Sequence, residues 1–61
     1  MIKSSFALSS KIVIFLNTDI GNADKHLLQA SLESEMKKYK HSFSEVTFIG
    51  DDNTSRTFYL Q

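Results

Sequence analysis

The sequence predicts a single small α+β domain, residues 1–61, in which an antiparallel-rich sheet of three or four strands packs on one helix. Three observations favour this fold class. Apolar residues alternate, or run together, in segments of strand length near both ends of the chain. A central stretch carries apolar residues at helical spacing, and a polar cluster separates the last two strand-like segments. A chain of 61 residues supports one hydrophobic core.

The first strand is predicted at residues 2–8, where apolar and polar side chains alternate. On this prediction the face directed at the helix carries Ile2, Ser4, Phe6 and Leu8, and the opposite face carries Lys3, Ser5 and Ala7. Ser9 and Ser10 form a weak turn signal because neither is Gly or Asn. If they turn, the element order is ββαββ; if they do not, residues 6–17 form one long strand and the order is βαββ.

The second strand, Lys11 to Asn17, has the strongest strand signal of the chain. Residues 12–16 are β-branched, aromatic or aliphatic, so apolar side chains occupy both faces. A run of this kind is typical of a strand that is covered on both sides. Since one helix covers only one side of a sheet, we expect the other side to meet something else.

A loop at residues 17–22 leads to the helix, predicted from Ala23 to Lys40 with Asn22 as its N-cap and Asp24 in its first turn. Its apolar stripe consists of Leu28, Leu32, Met36 and Tyr39. Helical phase places Glu35 inside this stripe. Two interpretations stay open: Glu35 lies at the sheet edge, reaching water or pairing with Lys38 or Tyr39, or it is a carboxylate held at a binding surface.

Two further strands, Glu45 to Gly50 and Ser55 to Gln61, are predicted to form a hairpin around a polar turn at residues 50–54. Their alternation directs every second apolar residue at the helix. The predicted core therefore consists of Ile2, Phe6, Leu8, Ile12, Ile14, Leu16, Leu28, Leu32, Met36, Tyr39, Val46, Phe48, Phe58 and Leu60.

Charge and composition narrow the range of functions. Seven Lys and Arg residues balance seven Asp and Glu residues, which argues against strong non-specific nucleic-acid binding. There is no Cys, and no apolar run is long enough for a bilayer span, so we expect a cytoplasmic protein without membrane contact. A sheet with one helix encloses little volume, and no catalytic or metal-ligating motif is present. We therefore expect no enzymatic activity, no cofactor and no metal.

The second side of the sheet is the predicted working surface. Val13, Phe15, Ile49 and Tyr59 are expected to form one exposed apolar patch, with Glu35 as a further protein-binding residue. The occupant is a second copy of the chain, in a homodimer, or another protein of unknown identity, and the two are not exclusive. We interpret the chain as a small non-enzymatic protein-binding module. Small size, the absence of Pro and the absence of a catalytic motif associate the chain with phage or mobile-element proteins that inhibit or modulate a host protein. No individual residue carries this association.

The alternative function is that of a single-stranded nucleic-acid binder that uses the same side of the sheet. Phe15 and Tyr59 would stack on bases, as aromatic residues of sheet-based binders do. The cations available for phosphate contacts are Lys11, Lys37, Lys38, Lys40 and Arg56. The zero net charge disfavours this alternative, and the three helix lysines have a simpler role at the negative end of the helix dipole.

Overall fold

The computed structural model describes residues 2–21 and 24–60. Its elements are β1 (Ile2–Leu8), β2 (Lys11–Leu16), α1 (Lys25–Tyr39), β3 (Glu45–Ile49) and β4 (Ser55–Tyr59). The predicted α+β class and the ββαββ order are confirmed, because Ser9 and Ser10 do turn. β2, β3 and β4 end earlier than predicted, at Leu16, Ile49 and Tyr59.

The four strands form one mixed sheet in sequential order, β1-β2-β3-β4. The two hairpins, β1–β2 and β3–β4, are antiparallel, and the central pair β2–β3 is parallel. The parallel pair follows from the helix between its strands, because parallel neighbours need a long crossover connection. The helix consequently packs over the middle of the sheet, where Leu28 and Leu32 meet the buried side chains of β2 and β3.

The turn between β1 and β2 uses an unfavourable residue. Ser9 has a backbone φ of 58°, in the left-handed region that favours Gly or Asn. The second positive φ among the described residues, 64°, falls at Asn53 in the turn between β3 and β4, where Asn is well suited. The sequence signal at Ser9 was weak because the local conformation is imposed by the pairing of the flanking strands.

The helix begins later than predicted, at Lys25, and Asp24 is its N-cap instead of a first-turn residue. One Asp24 carboxylate oxygen accepts hydrogen bonds from the backbone N–H groups of His26, at 3.0 Å, and Leu27, at 3.1 Å. The carboxylate thereby satisfies two donors that have no partner within the helix. The predicted cap, Asn22, and the predicted first residue, Ala23, lie outside the described residues.

The core is centred on β2, β3 and the helix. Its buried members are Ile12, Ile14, Leu16, Ile20, Leu28, Leu32, Val46 and Phe48, with Met36, Tyr39, Phe43, Phe58 and Leu60 packed around them. Ile20 and Phe43 were not predicted, because each lies in a segment without periodicity. Ile20 is only 3% exposed, and its loop is held to the β3–β4 turn by a hydrogen bond from the Asp51 N–H to the Thr18 carbonyl.

The prediction for the faces of β1 was wrong. Phe6 pairs with Val13 and Leu8 with Lys11, so Phe6 and Leu8 point away from the helix, while Ser5 and Ala7 lie opposite the buried Ile14 and Ile12. The register shifts between Ile2 and Ser4, and this β-bulge at Lys3 returns Ile2 to the helix side, opposite Leu16. Phe6 and Leu8 are 48% and 62% exposed because they point away from the helix, and Ile2 is 43% exposed because the helix does not cover β1.

Candidate functional site: the outer face of the sheet

The candidate site is the side of the sheet that faces away from the helix, here called the outer face. The strand registers arrange its side chains in three rows that cross all four strands. From β1 to β4, the rows are Leu8, Lys11, Glu45, Tyr59; then Phe6, Val13, Thr47, Thr57; then Ser4, Phe15, Ile49, Ser55. Since neighbours in a row lie about 5 Å apart, each row is a chain of side-chain contacts.

The apolar side chains concentrate on β1 and β2. Five of them form what we call the apolar patch: Phe6, Leu8, Val13, Phe15 and Ile49. The rings of Phe6 and Phe15 stack with centroids 5.9 Å apart and an interplanar angle of 29°. Stacked pairs of this kind contribute about 0.5–1.5 kcal/mol beyond the area they bury. The patch is therefore partly ordered within the chain, while Phe6 and Leu8 still present about half of their surface or more to solvent.

Four polar side chains of the outer face form two pairs. The Lys11 ammonium lies 3.7 Å from a Glu45 carboxylate oxygen. The hydroxyl oxygens of Thr47 and Thr57 are 3.0 Å apart and share a hydrogen bond. When the face is covered, these two charges and the two threonine hydroxyls therefore keep a partner, which lowers the usual cost of burying polar groups.

The structure brings together three of the four residues predicted to form the patch. Val13, Phe15 and Ile49 are half-buried neighbours on β2 and β3. Tyr59 lies on the same face but at its opposite corner, across from Glu45, and is 78% exposed. The Thr47–Thr57 pair lies between Tyr59 and Ile49. Tyr59 is thus separated from the apolar patch.

Glu35 is placed elsewhere. It belongs to the helix, and its side chain lines a groove on the helix side of the sheet, together with Ile2 and Leu32. Lys38 forms an ion pair with it, in agreement with one of the two interpretations left open by the sequence. Glu35 therefore shares no surface with the apolar patch.

The cations proposed for nucleic-acid binding are spread over both sides of the sheet. Lys11 lies on the outer face and is paired with Glu45. Arg56 lies on the helix side, opposite Phe48, where it lines a cavity of about 250 Å³ with Lys25 and His26. Lys37 and Lys38 are in the last turn of the helix and Lys40 is its C-cap. Only Lys11 shares a face with the aromatic residues, and the nucleic-acid alternative stays a prediction.

Sequence reasoning missed Phe6 and Leu8, although a signal for both was present. A two-residue turn at Ser9 and Ser10 pairs Leu8 directly with Lys11. Neighbouring residues of a strand point to opposite faces, so Lys11 points away from the side of the sheet that the core residue Ile12 faces. Leu8, which is paired with Lys11, therefore points outward, and so does Phe6 two residues before it. The orientation of β1 follows from the turn length rather than from the alternation of β1 itself.

Among residues 2–21 and 24–60, no group of three or more His, Cys, Asp or Glu side chains is arranged to hold a metal ion. Within the same residues, no helix has the length and apolar character needed to cross a membrane.

No protein-family model matches the sequence, and no curated protein or solved structure matches it.

Proposed function

We propose that the chain is a small non-enzymatic protein-binding module, and that the polypeptide which packs on its outer face is a second copy of the chain. The observation that carries this proposal is the apolar patch of Phe6, Leu8, Val13, Phe15 and Ile49, which no other described part of the chain covers. Contiguous apolar surface of this kind marks interaction sites in small proteins. Action on a host protein by a phage-type inhibitor stays a prediction.

The dimensions of the face favour a reversible dimer. Strands lie about 4.8 Å apart and rise about 3.3 Å per residue, so four strands of five residues cover about 19 by 17 Å, or about 300 Å² in projection. This is the area of the whole face, of which the apolar patch is only a part, and it is below the roughly 800 Å² that each partner contributes to a standard interface. We therefore expect a dimer that dissociates on dilution.

The charge of the face is compatible with self-association. Its three rows contain one cation, Lys11, and one anion, Glu45, which pair with each other. A second copy therefore meets no excess of like charge, and the centre of the patch contains only apolar side chains. Depletion of charge at the centre is the compositional feature that distinguishes interface cores from other surface.

The test is sedimentation equilibrium over a wide range of protein concentration, with wild type, Phe6→Asp and Leu27→Asp. Leu27 is the matched control because it is 70% exposed on the helix, away from the outer face. Complete burial of a Phe side chain is worth about 1.5–3 kcal/mol, and 48% of Phe6 is still exposed. Two copies per dimer thus contribute about 1.4–2.9 kcal/mol, or a roughly 10- to 100-fold change in dissociation constant.

We expect the wild type and Leu27→Asp to associate equally, and Phe6→Asp to dissociate at concentrations at least tenfold higher. A wild type that stays monomeric at every concentration refutes the second copy as occupant. Equal association of all three proteins places the interface away from the outer face. Tyr59→Asp reports how far the interface extends, because Tyr59 occupies the corner opposite the patch.

A further inference from the structure

The β1 edge of the sheet is open. Among the described residues, β2 is the only strand that pairs with β1, and all seven residues of β1 are exposed. The two-residue turn makes Leu8 and Lys11 a hydrogen-bonded pair, and such pairs alternate along an antiparallel ladder. The main-chain groups of Phe6 therefore point at β2, whereas the N–H and C=O groups of Ser5 and Ala7 point away from the sheet.

This edge lacks the features that usually keep an open strand from pairing, which are charged side chains, Pro and bulges. β1 has them only in its first half, where the bulge lies at Lys3 and the Lys3 ammonium pairs with Asp51 at 3.0 Å. Residues 4–8 contain no charge, no Pro and no bulge. The opposite edge strand, β4, carries the charged Arg56 within its five residues. β1 is therefore the less protected edge.

We infer that residues 4–8 of β1 pair antiparallel with the same residues of a second copy of the chain. A two-fold axis at Phe6 places Ser5 opposite the second copy's Ala7, and Ala7 opposite the second copy's Ser5. Each of these two pairs forms two main-chain hydrogen bonds, which use every outward-pointing donor and acceptor of Ser5 and Ala7. The edge is thus complementary to itself, and Lys3 lies outside the paired segment.

The side chains agree with this pairing on both sides of the sheet. On the outer face, Phe6 meets the second copy's Phe6 at the closest spacing of an antiparallel ladder, and Leu8 lies opposite Ser4. Phe6 is 48% exposed and Leu8 62%, so both have surface left to bury. On the helix side the facing residues are Ser5 and Ala7, whose side chains are small. Since the helix does not cover β1, the two helices stay apart.

Edge pairing also enlarges the outer face. Two four-stranded sheets become one sheet of eight strands, whose outer face measures about 600 Å² in projection instead of about 300 Å². This area is closer to the roughly 800 Å² of a standard interface. Two edge-paired dimers whose outer faces meet would form a closed particle of four copies. This last step rests on the proposed function, whereas the hydrogen-bonding complementarity of the edge does not.

Amide hydrogen exchange of the wild type, measured by NMR over a wide range of protein concentration, tests the edge contact directly. The probes are the Ser5 and Ala7 amides, and the control is the Thr57 amide on the other edge. The Leu60 N–H donates to the Ser44 carbonyl on β3's side, so by alternation the Thr57 N–H points outward from β4.

We expect exchange at Ser5 and Ala7 to slow at least tenfold as the concentration rises, because a hydrogen-bonded amide must open before it exchanges. Exchange at Thr57 should stay fast. Fast exchange at Ser5 and Ala7 at every concentration overturns the inference, even in a protein that associates. Equal slowing at all three amides also overturns it, since the association then does not select the β1 edge.

Three variants separate the edge contact from the contact on the outer face. Ala7→Pro removes one outward N–H and leaves the β1–β2 hydrogen bonds intact, and Pro is tolerated at edge positions of this kind. Ser55→Pro is the matched control, because by the same alternation it removes an outward N–H from β4. Ile49→Thr changes the apolar patch two strands away from the edge. Phe6→Asp does not separate the contacts, because Phe6 borders both.

In sedimentation equilibrium we expect Ala7→Pro to dissociate at concentrations at least tenfold higher than Ser55→Pro. Equal association of these two variants overturns the edge contact. Weakening by Ile49→Thr alone overturns the edge contact and supports the outer face, whereas weakening by Ala7→Pro alone supports the edge and refutes the outer face. Circular dichroism checks that each variant is folded, and the exchange measurement on the wild type decides the question without any variant.

Discussion

Substitution of Gly50 by Ala tests how the loop before the helix is docked on the sheet. Gly50 is buried at the end of β3, and its φ is not in the left-handed region. A Cβ atom there would lie 2.9 Å from the backbone nitrogen of Ile20 and 3.0 Å from its Cγ1. Ordinary contacts begin near 3.5 Å. The added methyl group is therefore about 0.6 Å too close to backbone that belongs to a core residue.

The expected loss is about 1–3 kcal/mol of unfolding free energy, which is the usual cost of inserting a methylene-sized group into a packed interior. A 61-residue domain has about 3–9 kcal/mol in total. The loss should therefore be visible as a lower urea midpoint with an unchanged m-value, measured by far-ultraviolet circular dichroism. Measurement at low protein concentration separates this effect from self-association.

Gly21→Ala is the matched control. Among residues 2–21 and 24–60, the one group that a Cβ atom at Gly21 would meet is the Asp52 carboxylate, at 3.2 Å, and Gly21 is exposed. The Asp52 carboxylate must shift by a few tenths of an ångström, and the loss of backbone freedom in the unfolded chain offsets part of the cost of this shift. We expect a change within about 0.5 kcal/mol. If both variants lose the same unfolding free energy, or if Gly50→Ala loses none, the result contradicts the close packing of Ile20 against Gly50.

Three further changes have defined outcomes. Ser9→Gly should raise the unfolding free energy by about 1 kcal/mol, since it relieves a positive φ, whereas Asn53→Gly should gain little. Asp24→Ala should cost about 1 kcal/mol through the lost N-cap, and Asp24→Asn should restore most of it. Desolvation raises the pKa of Asp52, but hydrogen bonds from the Thr54 and Gly21 N–H groups outweigh it, and the net pKa is lowered. Its contribution to stability is present at neutral pH and lost as the pH falls below about 4, so Asp52→Asn should flatten the acid limb of a pH–stability curve.

The inward-facing residues of β2, β3 and the helix were predictable from the sequence because local periodicity determines them. Ile12 and Ile14 alternate with Val13 and Phe15, and Leu28 and Leu32 recur at helical spacing. The buried face of each element follows from the side-chain period, and the turn cluster at residues 50–54 makes the last two strands a hairpin. The apolar run at residues 12–16 also led to the expectation that one side of the sheet carries uncovered apolar residues.

The orientation of β1 was decided by its hairpin pairing with β2. Alternation in residues 2–8 is equally compatible with either face, and only the pairing with β2 places Phe6 beside Phe15 on the outer face. The bulge at Lys3 then reverses the face of Ile2. A shift of one residue exchanges the two faces of a strand, so β1 itself did not contain the answer.

The sequence by itself determined the element order up to the uncertain Ser9–Ser10 turn, the central core, and the presence of apolar residues on both sides of the sheet. These features depend on local periods of two and 3.6 residues. The tertiary structure alone decided that β2 and β3 are parallel neighbours, and why Tyr59 stands apart from the apolar patch. It also decided that Glu35 borders a groove, because that groove depends on where the helix lies relative to β1. Contacts between residues far apart in the chain depend on register and packing, which no local period specifies.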